Sequence, residues 1–255
     1  MRWIPYIYWV LCLPVVAVDL PVPAATTERM EYDITWVGVS VATMTVQNNA
    51  DEAGKVFRSV RIQNRPWLSK VYPVDTTVEC TIEKTAEGPR HTVIKKVSEK
   101  NFVQDDTLLL WPDEGRAVWS NAVEHLVQTS SVPKGSRDLV SFLFDLRDTA
   151  RDETWEPGGQ YSLIMDGRIN ELEIFTHPPE SIRTPFGRMK AISVTAESKS
   201  PELFDRNKPR AVWVSCARPI VVFADLQTRF GPVRSTLSEW ERDGRPVDMK
   251  SLCGP

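Results

Sequence analysis

From residue 31 onward, apolar and polar side chains alternate in short runs, the period of strands with one buried face. Tyr32, Ile34 and Trp36 stand against Asp33 and Thr35, and beyond Gly38 the residues Ala42, Met44 and Val46 stand against Thr43 and Thr45. This reads as one long strand bent at Gly38, or as two strands meeting at a tight corner. Val56, Val60 and Ile62 form the apolar face of the next run, and Val78, Cys80 and Ile82 that of the one after, so Cys80 points inward. Thr92 to Val97, Thr107 to Trp111 and Arg116 to Ser120 continue the series, with turns at Glu87-Gly-Pro89 and from Pro112 to Gly115. Asp166-Gly167, between Tyr161 to Met165 and Arg168 to Phe175, is a two-residue hairpin signal. A second hairpin sets Ser181 to Thr184 against Met189 to Ala196, and a charged loop runs from Ser198 to Arg210. Ala211 to Ser215, Ile220 to Gln227 and Val233 to Trp240 close the series, leaving a polar tail, frayed by expectation, from Glu241.

One segment changes period. Leu139, Phe142, Leu143 and Leu146 fall at i, i+3, i+4 and i+7, which predicts a one-faced helix from about Ser136 to Arg147. Ser136 is placed to cap it, with Asp138 in the first turn and Arg147 in the last, matching the helix dipole. Roughly twelve strands with one covering helix predict a mostly β chain: a curved antiparallel sheet, closed as a barrel, half-barrel or sandwich.

The first residues follow another rule. Arg2 precedes an apolar run from Trp3 to Val18, about 15 residues where a spanning helix needs ~20. Small residues follow at Val22-Pro-Ala24 and Pro23-Ala-Ala25, with an earlier option at Val15-Val-Ala17, the layout of a secretory signal peptide. An uncleaved anchor is the alternative. Leu11 before Cys12 is too bulky for lipid attachment there. The expected organisation is a signal peptide over 1–25, a single β-rich domain over 26–240 and the tail over 241–255. No later stretch is apolar enough to span a bilayer as a helix. The destination is the periplasm or envelope. Cleavage leaves Cys80, Cys216 and Cys253, an odd number, with Cys80–Cys216 and Cys216–Cys253 as the candidate bridges.

Charge removes one class of function. Lys and Arg number 31 against 34 Asp and Glu, with no basic excess for a nucleic-acid partner. Nine tryptophans is a high count, and it suits either a broad core or the lining of an apolar site.

The order of the pieces resembles the bacterial domain of unknown function 3108 family. They are Tyr32-Asp-Ile-Thr-Trp36, Asp138 to Arg147, Gly159 with the strand pair around Asp166-Gly167, and Arg183-Thr-Pro-Phe-Gly187. Ala211-Val-Trp-Val-Ser215, Pro219-Ile-Val-Val222, the Gly231 turn and Ser235-Thr-Leu237 complete the set, over residues 30 to 240. The resemblance implies an exported barrel-like or half-barrel protein with no assigned activity. Cys216 departs from the pattern, which has an acidic or polar residue there.

No motif carries chemistry. His91, His125 and His177 show no metal-ligand spacing, and no Gly-x-Ser-x-Gly elbow is present. Pro133 breaks the Ser131 to Lys134 pair that would need a regular helix. The paired carboxylates flank turns or share one polar strand face. The sequence therefore predicts no catalytic residue, no cofactor and no metal. It favours a non-catalytic protein that holds a lipid or glycolipid, with Trp36, Trp111, Trp119, Trp213, Arg183 and Arg188 as candidate ligand contacts. A structural or protein-binding envelope module is the alternative, and a cell-wall hydrolase the second.

Overall fold

The computed structural model describes residues 26–149, 159–199, 207–228 and 231–253. The signal-peptide expectation over 1–25 lies outside them. Strand β1 (Thr26–Trp36) turns through Val37 and Gly38 into β2 (Val39–Ala50). Both turn residues have positive φ, the backbone a two-residue hairpin requires, so the chain reverses at Gly38 rather than bending. An antiparallel meander follows: β3 (Val56–Asn64), a single helical turn α1 (Pro66–Ser69), β4 (Val74–Thr85), β5 (Gly88–Glu99), β6 (Phe102–Trp111), β7 (Arg116–Asn121) and β8 (Leu126–Ser131). Each strand pairs with the next. β8 escaped the sequence reading because Leu126 and Val127 both face water, leaving no alternation to detect.

The chain then crosses to the far end of the sheet. β9 (Arg137–Asp138) pairs parallel with β10 (Gly159–Met165) and leads directly into helix α2 (Leu139–Thr149). β11 (Arg168–Thr176) pairs with β10, and β11 and β12 (Glu180–Thr184) pair with successive stretches of β13 (Gly187–Ser198). β14 (Asn207–Ser215), β15 (Val221–Thr228) and β16 (Gly231–Arg242) carry the ladder back to β1. The result among the described residues is one mostly antiparallel sheet of 17 strands. Its ladder ends at β8 and β9, which only residues 132–136 separate. The ladder does not close there, although Gln128 Nε2 donates to Gly167 O at 3.3 Å near the seam.

α2 differs from the expected helix in start, cap and face. Arg137 and Asp138 are spent on β9, so the helix begins at Leu139. Asp138 caps it by accepting the Ser141 N–H at 2.9 Å, whereas the Ser136 hydroxyl donates to Pro133 O. Leu139 and Leu143 are 39% exposed, while Val140, Phe142, Phe144 and Leu146 are buried. The helix is wedged between two clusters: Val140 and Phe144 join the large core, and Phe142 and Leu146 pack on Leu163, Leu172 and Ile174. In a helix buried on two sides the i, i+3, i+4, i+7 pattern finds the helix but not which faces are covered.

The tail also departs from expectation. β17 (Arg245–Pro246) pairs with β16, and a 3-10 turn over Met249–Leu252 buries Met249 and Leu252 in the core. All three thiols are free, so neither candidate disulfide forms. No helix among the described residues is long and apolar enough to cross a membrane.

Candidate functional site

An apolar cavity of about 140 Å3 lies beneath α2. Its walls come from β1 (Met30, Tyr32), β2 (Met44, Val46), α2 (Val140, Leu143, Phe144) and the β14–β16 strands (Val212, Val221, Ala224). Among the described residues, only Tyr32, Arg147 and Ser235 bring polar side chains to the lining. The Tyr32 hydroxyl is already committed, donating to Val221 O at 3.0 Å. With so few polar groups in its walls, the hollow offers bound water little to bond and suits hydrocarbon.

Arg147 lines the cavity and also a second, polar pocket of about 470 Å3, with Glu28, Asn48, Asp148, Arg218, Trp240 and Arg242. Its guanidinium donates to Glu28 Oε2 at 2.7 Å and to Asp148 Oδ1 at 2.8 Å, over the Phe144 ring. Burial alone would ease the proton off Arg147, but Glu28 and Asp148 outweigh it and hold the group charged. Glu28 is tied on both oxygens, because Trp240 Nε1 donates to the other at 3.0 Å. Arg218, stacked over the Trp240 ring, and Arg242 make no ion pair among the described residues. The same two arginines also line a third hollow, together with Arg245, Asp243 and Asp248. A greasy hole thus abuts a mouth bearing two guanidiniums that form no ion pair among the described residues.

The six residues singled out from the sequence are not gathered here, and none lines the cavity. Trp36 is exposed at the end of β1, and Trp111 lies under the Arg116 guanidinium at 3.6 Å. Trp119 packs against the large core. Trp213 meets Phe223 edge-on and donates to Glu180 Oε1 at 2.9 Å. Arg183 and Arg188 face each other across β12 and β13, both exposed. Tryptophan count pointed to an apolar lining, but methionine, valine and phenylalanine supply it.

A separate polar cluster is enclosed where α2 meets β4 and β5. His91 Nδ1 is 2.8 Å from Asp138 Oδ2, Cys80 Sγ is 3.6 Å from the same oxygen, and Ser141 Oγ is 3.3 Å from His91 Nδ1 and 3.5 Å from Cys80 Sγ. In the β4–β5 register Cys80 pairs with Val93, so His91 is its diagonal neighbour on the same face. Burial pushes the Asp138 carboxyl up, but the bonds from His91 and Ser141 prevail and hold it below the usual carboxylate range. Burial, with the Asp138 charge beside it, pushes the Cys80 thiol up to about 12. The sequence shows no ligand spacing because the three residues meet only through strand pairing and the crossover to α2. The phase of Val93 and Val97, which puts His91 inward beside Cys80, was the one signal available.

A barrel-like protein of domain of unknown function DUF1849 from Brucella abortus superposes with a TM-score of 0.58, covering 86% of this chain and 98% of that one at 13% identity. At that identity the likeness concerns the fold alone. No curated protein matches the sequence. The family described as protein of unknown function (DUF3108) matches residues 31–238, nearly the whole span from β1 to β16, and the chain belongs to that family.

Proposed function

We propose that the protein is an exported, non-catalytic binding protein of the cell envelope that holds a single-chain anionic amphiphile, a lipid or glycolipid component. The observation that carries this reading is the contact at Arg147 between the apolar cavity and the arginine-bearing pocket. The chain would lie beneath α2, and the head would meet Arg218 and Arg242, since guanidinium forks suit carboxylate and phosphate oxygens. An apolar cavity of this size takes roughly a benzene, or a chain segment of about six carbons. At about 0.8 kcal/mol per methylene such a segment contributes about 5 kcal/mol, which alone gives affinity only near 0.2 mM. Tighter binding therefore requires the head. Export rests on the apolar run from Trp3 to Val18 and on the resemblance in element order.

Native mass spectrometry of protein purified from its own envelope, followed by organic extraction, tests the proposal. A stoichiometric adduct that extracts as a single-chain amphiphile supports it. A clean apo mass, unchanged after incubation with envelope lipids, overturns it and favours the protein-binding alternative, for which the open β8 edge with exposed Val127 is the relevant surface.

A further inference from the structure

We infer that Cys80, His91, Asp138 and Ser141 form a structural site for one divalent transition metal, zinc by the chemistry of the donors. Thiolate, imidazole and carboxylate are zinc's protein ligands. Bonds of ~2.0–2.3 Å in a tetrahedron place donor atoms about 3.3–3.7 Å apart. Three of the separations here already fall at that spacing: Cys80 to Asp138 at 3.6 Å, Cys80 to Ser141 at 3.5 Å and His91 to Ser141 at 3.3 Å. The pair at 2.8 Å, His91 to Asp138, must open by about half an ångström. The Cys80, His91 and Asp138 donor atoms all lie within 4.8 Å of one another.

Two further features fit a structural role. The cluster is closed, with exposures of 0% for Cys80, 5% for His91 and 1% for both Asp138 and Ser141, and structural metal sites are closed whereas catalytic ones keep an open position. The Asp138 oxygen not offered to the metal accepts the Ser141 N–H, so the carboxylate is oriented by an outer bond, as metal-ligating carboxylates are. Charge also balances. On binding, the Cys80 thiol loses its proton to solvent, and one thiolate with one carboxylate neutralises the dication. Arg58, which pairs with Cys80 across β3 and β4, then faces a neutral centre. The ion would bind β4 and β5 to the β9–α2 junction, next to the seam where the ladder ends. The competing arrangement is a metal-free network in which Cys80 and His91 donate to Asp138.

Cobalt(II) titration of the full mature protein, freed of metal by chelator, separates the two. We expect one equivalent to give a thiolate-to-cobalt charge-transfer band with the intense visible bands of a tetrahedral site, displaced by zinc. Zinc should also raise the unfolding temperature of the chelated protein. Cys80→Ser should lose the charge-transfer band, and the double variant Cys216→Ser/Cys253→Ser should keep it. A folded protein, judged by circular dichroism, that gives no band and no zinc-dependent shift overturns the site. So does a band that survives Cys80→Ser.

Discussion

Arg147, in the last turn of α2, places Nη1 2.7 Å from Oε2 of Glu28 near the start of β1, and both side chains are nearly buried. This pair ties the helix to β1 beside the cavity. Removing one partner of such a pair leaves a buried charge unmet and costs ~3–5 kcal/mol. Arg147→Met should therefore lower the urea midpoint strongly. Glu28→Gln should do so less, because Asp148 still holds the guanidinium. The double variant should lose less than the sum of the two, and a strictly additive result would show that the ion pair is not the unit that holds α2 down.

The hairpin tip at Asp166-Gly167 packs against the opposite wall. Lys95 Nζ lies 2.6 Å from Asp166 Oδ1, and a Cβ added at Gly167 would meet the Trp119 ring at 2.8 Å with φ at +72°. Gly167→Ala should cost about 1–3 kcal/mol, from a left-handed backbone combined with a clash against a bulky ring. Thermal unfolding measures it. Gly244, equally left-handed but with open space around its Cβ position, is the control, and Gly244→Ala should cost about 1 kcal/mol.

Tyr32 is held in its protonated form, chiefly by burial, with the Glu28 charge adding to it and Arg147 opposing. Below about pH 10 folded and unfolded chains both carry the phenol proton, and above it only the unfolded chain ionises readily. Stability should therefore fall as the pH climbs past about 10, through this residue. Tyr32→Phe should remove that part of the slope, at a constant cost of about 1 kcal/mol for the bond to Val221. Denaturant midpoints from pH 8 to pH 11 decide it. Parallel curves for the two proteins would contradict the assignment.

Much of the sheet was legible because each buried strand face carries its own period-two signal, as Val78, Cys80 and Ile82 do on β4. Asp166-Gly167 was equally plain, since that dipeptide suits the positive φ at both positions of the turn. β8 was invisible for the opposite reason: an edge strand exposed on both faces carries no alternation. The site was harder to read. The cavity is bounded by strands at both ends of the chain and by α2 across it, and no local pattern reports which inward faces leave a gap. Cys80, His91 and Asp138 are likewise brought together only by register and crossover.

A hydrocarbon chain held beneath α2 should be displaced by a side chain that fills the same space. Calorimetric titration of decanoate into the wild-type protein and into Ala224→Leu measures this. Leucine adds three carbons beside a cavity of about six, so the variant should fold at least as stably, gaining up to ~2 kcal/mol of burial. Its affinity for decanoate should fall by about 2.4 kcal/mol, roughly fiftyfold. Equal affinity in the two proteins, or no binding by the wild type, would show that the space beneath α2 does not hold a hydrocarbon chain.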